Sequence, residues 1–290
     1  MNLFKIFSKK IQNFLGLDEI RQHIRDLKIL NGKKISKYND SLKSENLNDY
    51  EFKVFSQFGE DGIIQFLIKN INLSCNKFIE FGVENYEEAN TRFLMENNNW
   101  SGLIIDSSLE NVEHIKNQYY YWKHDLKVIN EFITKENINE ILKKNNFIGK
   151  IGILSIDIDG NDYWIWNSID LVDPDIIIVE YNARLGNQSS LTIPYDSNFK
   201  RENNSKKNIY GASLSAFYKL GKEKGYELVG TNSNGNNAFF VKKDKIKNNN
   251  IKPQSPKQCF HINSFSEKRD GLGRIVKEVD KIEISDFIEV

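Results

Sequence analysis

The sequence predicts an α/β fold: a Rossmann-like sandwich on a mostly parallel seven-stranded sheet, with an antiparallel last strand and an N-terminal helical extension. Three observations predict it. From Glu51 onward, short apolar runs alternate with stretches of helical spacing, the signature of strands joined by crossover helices. The runs are nearly continuous, as in residues 151–156 and 176–179, which suits strands buried on both faces. The runs end in Glu80-Phe81-Gly82, Asp106, Asp157 and Glu180, and an open parallel sheet binds ligands beyond the carboxyl ends of its strands.

Taken in order, residues 78–83 read as a first strand ending at a glycine and 87–97 as a helix. Residues 102–106 are a second strand, 111–120 a helix, 126–133 a third and weaker strand, and 136–144 a helix. The fourth strand spans 151–157, a short helix 163–169, and the fifth strand 175–180. A helix over 213–225 leads into runs 226–231 and 238–241, joined by 232–237 as an antiparallel hairpin. Ahead of this core, apolar residues recur at helical spacing from Leu3 to Leu15, a second helical pattern covers 18–30, and the polar stretch 31–49 reads as a linker. The organisation expected is therefore 1–50 as extension and linker, 51–245 as the main domain, and 246–290 as a segment packing on or near the site. The front helix is read as a packing face, a self-association surface or a membrane-surface element.

Composition narrows the function. Lys plus Arg equals Asp plus Glu at 40 each, so no basic balance argues for nucleic acid. The two cysteines make neither a disulfide framework nor a zinc site. No apolar run approaches the roughly 20 residues that span a bilayer, and the start has no long apolar stretch of the signal-peptide kind. A reduced cytoplasmic setting is expected.

A glycine ending the first strand lets backbone approach a ligand. An acid ending the second can accept both hydroxyls of a ribose. Gly82 and Asp106 together point to a nucleoside cofactor; the alternative is a turn glycine and a capping aspartate. A dinucleotide site wants G-x-G-x-x-G to bring its phosphates onto a helix N-terminus. Here the run is Gly82-Val83-Glu84-Asn85-Tyr86, lacking the later glycines and carrying an acid that repels a pyrophosphate. A cofactor with a sulfonium and an ammonium, S-adenosylmethionine, tolerates that acid.

On these residues the chain resembles a class I S-adenosylmethionine-dependent methyltransferase of the FkbM-like group. The matching stretches are Ser56-Gln57-Phe58-Gly59-Glu60-Asp61-Gly62, Phe78-Ile79-Glu80-Phe81-Gly82, Asn90-Thr91, Trp100-Ser101-Gly102-Leu103-Ile104-Ile105-Asp106, the run from Leu154 to Trp164 containing Asp157-Ile158-Asp159-Gly160-Asn161-Asp162, Gly211-Ala212-Ser213-Leu214 and Asn237-Ala238-Phe239-Phe240. They cover roughly 51–243. The resemblance implies that Glu80 and Gly82 line the methionine part, with Asn90 nearby, and that Asp106 and Ser107 meet the ribose. It implies that the Ser56-Gln57 loop caps the cofactor. Asp125 would meet the adenine amine or be a surface acid. The acceptor implied is a sugar or sugar-nucleotide hydroxyl in the making of a bacterial surface polysaccharide.

On the acceptor side, Asp157, Glu180 and Asn182 at two neighbouring strand ends could hold Mg²⁺ or Mn²⁺, which would lower the acceptor hydroxyl's pKa. This resembles metal-dependent O-methyltransferases, though Tyr181 separates the acid from the amide. Without metal, Asp157 or Asp159 serves as general base or orients the hydroxyl, and His261 is a further candidate base. Tyr163, Trp164, Trp166 and Tyr181 are either sugar-stacking or core aromatics. Residues 185–207 read as a long polar loop recognising the acceptor, where Arg184, Lys200 and Arg201 would meet phosphates of an activated sugar. Two other functions fit parts of the pattern. Asp157-Ile158-Asp159 is a D-x-D string, as a metal-dependent glycosyltransferase would use, and a sandwich of this kind can also serve as a non-catalytic binding module.

Overall fold

The computed structural model describes residues 16–201, 209–246, 250–263 and 283–290. The sheet strands are β1 (Lys77–Phe81), β2 (Ser101–Asp106), β3 (Leu126–Asn130), β4 (Gly149–Ile156), β5 (Val172–Glu180), β7 (Tyr226–Thr231) and β8 (Asn237–Lys242), and a separate pair is β6 (Leu191–Thr192) with β9 (Ile288–Glu289). The seven-stranded sheet runs β3-β2-β1-β4-β5-β8-β7. All neighbours pair in parallel except β8, which is antiparallel to both β5 and β7. This is the expected fold, with its antiparallel last strand.

The apolar runs are buried on both faces, as their continuity requires. Ile79, Phe81, Leu103, Ile105, Leu154 and Ile156 face one core. Phe78, Ile104, Ile153, Ile176 and Ile178 face the other. Neighbours along a strand thus alternate between two helical layers.

The helices are α1 (Leu17–Asn39), α2 (Glu60–Asn70), α3 (Arg92–Asn98), α4 (Leu109–Lys116), α5 (Tyr119–Lys123), α6 (Ile138–Lys144), α7 (Asp162–Ser168), α8 (Leu214–Glu223) and α9 (Pro256–Cys259). Where α1 was expected to give way to a linker at 31, it continues through Asn39. Packing explains the difference. Gly32 lets the helix lie so close that an added Cβ would sit 2.4 Å from Val54 Cγ2. Asn39 donates to the Tyr50 carbonyl, and Lys69 reaches Ser36. Polar residues on the outer face are no obstacle to a helix. The expected helix at 3–15 lies outside the described residues.

Two other boundaries shift. The helix expected from 87 starts at Arg92, because Glu80 takes the backbone N–H groups of Asn90 and Thr91 and the preceding turn holds Glu84 and Tyr86 at positive φ. The stretch read as a polar loop contains a buried extended segment, Leu191-Thr192-Ile193, which pairs with the C-terminal strand.

Chain order turns back between β1 and β4. That switch point opens a crevice above their carboxyl ends.

Candidate active site

Gly82 closes β1 at the switch point. Its φ is +70° and its N–H donates to Ile105 O of β2. A Cβ at this position would lie 1.6 Å from the carbonyl oxygen of Asp157. Only glycine permits the two strand ends to approach so closely. The chain then bends back through Glu84, whose N–H donates to Asp106 Oδ2 at 2.8 Å. Asp106 Oδ1 accepts from Ser108 N at 2.8 Å and from Asn111 Nδ2 at 3.3 Å. Three of about four carboxylate lone pairs are thus engaged. The bond to Asn111 is the longest of the three.

Two cavities meet over these strand ends. One, of about 320 Å³, runs from Gly82 past Asp106, Ser107 and Ser108 to Glu131, Phe132 and Ile133. The other, of about 250 Å³, is lined by Gln57, Glu80, Gly82 and Asn90 on one side and by Asn234, Asn236, Asn237 and Asn263 on the other. Gly82, Glu84, Asp157, Asp159 and Arg201 border both. Together the volumes fall within the ~300–1,000 Å³ of small-molecule sites.

The acids crowd the junction. Ligating oxygens of Asp157, Asp159 and Glu180 all lie within 4.8 Å of one another. Burial pushes Asp157 well above the usual carboxylate range, and Asp159, Asp162 and Glu80 push it further. Glu180 is raised likewise, by burial first and then by Asp157. The same string supplies its own scaffold: Asp162 accepts from the N–H groups of Ile158 and Gly160, fixing the turn in which Asp159 sits at φ +57°. Arg201 pairs with Asp159 and lies 3.9 Å from the centre of the Tyr210 ring. The smaller cavity counts Glu80, Glu84, Glu88, Asp157, Asp159 and Glu180 against Arg184 and Arg201, so its field favours a cation.

Two buried acids at the start of α2 hold the surrounding loops. Asp61 Oδ2 accepts from the N–H groups of Val54, Phe55 and Ser56 and from the Ser56 hydroxyl. Glu60 accepts from the side-chain amides of Asn232 and Asn237. The loop carrying Gln57 and the β7–β8 turn are therefore tied to one helix terminus. Because β7 runs parallel to the central strands, that turn lies at the same rim as their carboxyl ends.

The chain is similar to solved methyltransferases. The N-terminal domain of EvdMO1 with SAH bound aligns at TM-score 0.41 and 9% identity, over 72% of this chain and 94% of that one. An O-methyltransferase from Bacillus cereus in complex with SAH aligns at 0.41 and 13%, over 77% and 96%. A S-adenosylmethionine-dependent methyltransferase from Clostridium acetobutylicum aligns at 0.39 and 12%, over 63% and 90%. No protein-family model matches the sequence, and no curated protein matches it. The likeness is distant.

Of the residues singled out from the sequence, Gln57, Glu80, Gly82, Asn90, Asp106, Ser107, Asp157, Asp159 and Glu180 line the joined cavities. Four do not. Ser56 is fully buried on Asp61 and shapes the loop from behind. Asp125 is exposed and precedes β3, at the sheet's opposite rim; five strand residues, about 16 Å, separate it from the cavity. Asn182 turns away because its carboxamide caps the 3₁₀ turn at Arg184 N and donates to Tyr210 O. Asp159 takes its place in the acid trio. His261 Nδ1 lies 2.9 Å from the Thr231 hydroxyl, and neither cavity is lined by any of the four histidines. Tyr163, Trp166 and Tyr181 are core residues.

Sequence reasoning missed Glu131 and Phe132, which follow the third strand. Extending that strand to 133 hid them. It also passed over Asn234, Asn236 and Asn263, while Asn237 entered only within the matching stretch Asn237–Phe240. The amide density of 232–237 was visible, but it reads equally as turn chemistry.

Proposed function

We propose that the chain is an S-adenosylmethionine-dependent O-methyltransferase whose acceptor is a sugar hydroxyl, free or nucleotide-activated. The observation that carries this reading is the acid trio of half-buried Asp157 and Glu180 with exposed Asp159, beside the junction of the two cavities. A pocket so lined suits a cationic ligand without phosphates. The larger cavity suits the nucleoside: Asp106 offers an acceptor to the ribose, and Phe132 and Ile133 offer an apolar wall to the base. Glu80 and the backbone at Gly82 border the side where an amino-acid moiety would lie. When bound, S-adenosylmethionine supplies an electrophilic methyl group. The chain's own part is to align an acceptor oxygen and take its proton, because in-line transfer depends chiefly on proximity. With no histidine in reach, Asp157 or Glu180 is the base. Their raised pKa suits them to receive a hydroxyl proton. The facing wall of Asn234, Asn236, Asn237 and Asn263 both donates and accepts hydrogen bonds, as a polyhydroxy acceptor demands. Arg184 and Arg201 are at hand for a phosphate of an activated sugar.

A second reading of the same trio is a divalent cation. Three hard oxygen donors within 4.8 Å form a fitting ligand set for Mg²⁺ or Mn²⁺, which would lower the acceptor's pKa. Two measurements test these readings. Thermal shift with S-adenosylmethionine, an NDP-sugar or NADH should show stabilisation by the first. Stabilisation by the NDP-sugar alone would replace methyl transfer with glycosyl transfer on the D-x-D string. Mass spectrometry of candidate sugars after incubation should show gain of a methyl group. Undiminished turnover in EDTA would leave the carboxylate base and remove the metal.

A further inference from the structure

Helix α1 is two-faced. Its inner face, Arg25, Ile29, Gly32 and Ser36, meets the body: Arg25 lies 3.7 Å from the Tyr119 ring centre, and Ile29 packs on the Phe52, Val54, Phe55 and Phe93 cluster. With 3.6 residues per turn, Ile20, Ile24, Leu27, Ile35 and Tyr38 fall on the opposite side. They form a single stripe, with Ile24, Leu27 and Tyr38 exposed by 54%, 60% and 67%. A stripe of this kind, on a helix whose other face is already used, has something left to cover.

The charges beside the stripe say what. Arg21 and Lys28 flank it on one side and Lys34 and Lys37 on the other. Of the helix's acids, Asp26 is bound by Gln22 and Glu19 shares the Lys37 edge one turn from the helix start. A second copy laid on this face would set four cations of each helix against a single acid of the other. An anionic lipid surface meets both demands, because the apolar stripe enters the acyl boundary while lysine stems carry their charges to the headgroups. The adjoining helix α5 exposes Trp122 by 76%, a ring of the type concentrated at lipid–water interfaces. The sixteen residues ahead of α1 include Lys5, Lys9 and Lys10 and no acid.

We infer that the outer face of α1 docks the protein peripherally on an anionic membrane surface. The inference is independent of the methyl-transfer reading. It is tested by flotation of the full chain with vesicles of phosphatidylcholine alone and with about one-third phosphatidylglycerol. The protein should float with the anionic vesicles only, and less as salt rises. The pair Ile24→Gln with Leu27→Gln, and separately Lys34→Gln with Lys37→Gln, should each weaken flotation about tenfold or more. All four side chains are exposed, so both variants should keep the wild-type melting curve. Equal flotation with neutral vesicles, or none, overturns the inference. So does wild-type flotation by either variant, or a solution dimer that the Ile24/Leu27 variant dissociates.

Discussion

At the scale of single residues, carboxylates do most of the work of the site, and each is set by what its oxygens touch. Asp106 couples two loops through Glu84 and Ser108. Asp106→Ala should therefore weaken S-adenosylmethionine binding by about 10- to 100-fold, the loss of a charge-assisted hydrogen bond, measured by titration calorimetry. Unchanged affinity would mean that the ribose is held elsewhere. Asn111→Ala, which removes only the 3.3 Å bond, should leave affinity unchanged or better. Asp157→Asn and Glu180→Gln probe the chemistry. Each should lower turnover by roughly 10²–10⁴, the usual contribution of a positioned acid or base, while cofactor affinity stays within a few-fold. A uniform loss of both would recast these acids as binding groups only.

At the scale of elements, the site depends on how closely two strand ends meet. Gly82→Ala places a carbon 1.6 Å from the Asp157 carbonyl at a φ of +70°. It should cost about 2 kcal/mol or more and lower the melting temperature even without ligand; an unchanged melt would mean that the crevice opens freely. This part was legible beforehand. Strand ends, the terminal glycine and the acids after β2, β4 and β5 are local signals, and a parallel sheet brings them together by topology alone. What escaped was side-chain direction. Asn182 follows its strand as an acid-trio member would, yet its amide is needed to cap the turn. Ser56 has the spacing of a lid residue but lies beneath the loop, because Asp61 collects that loop's N–H groups. Such choices are made by partners 2 to 28 residues away, and no periodicity reports them. The hairpin turn and Asn263 join the rim only through tertiary packing, so their part in the cavity had no local signature.

At the scale of the whole molecule, the acids at one rim make stability depend on pH in an unusual sense. Burial pushes Asp61, Glu80 and Asp162 up to about 6, from about 4 in an unfolded chain. Between those values the folded state holds more protons than the unfolded state, so this stabilisation is full below about pH 4 and is lost as pH rises through about 6. The ligand-free protein should melt higher at about pH 5 than at about pH 7. Asp61→Asn, which keeps an acceptor for the loop, should flatten that difference. A bound cation at the trio favours ionised carboxylates, so saturating ligand should shrink or reverse it. A melting temperature that climbs steadily from about pH 5 to about pH 7 without ligand would refute the raised values.

The short pairing of Ile288–Glu289 with Leu191–Thr192 acts as a clasp. Val290 N also donates to the Ser190 carbonyl, and Ile193, next in line, receives the Trp164 indole N–H beside the turn that bears Asp159. Trimming the protein after residue 282 would unfasten this patch while leaving the seven-stranded sheet entire. On the methyl-transfer reading, a protein so trimmed should bind S-adenosylmethionine as before and saturate with acceptor only at higher concentration. The same geometry advises against a purification handle fused directly to Val290.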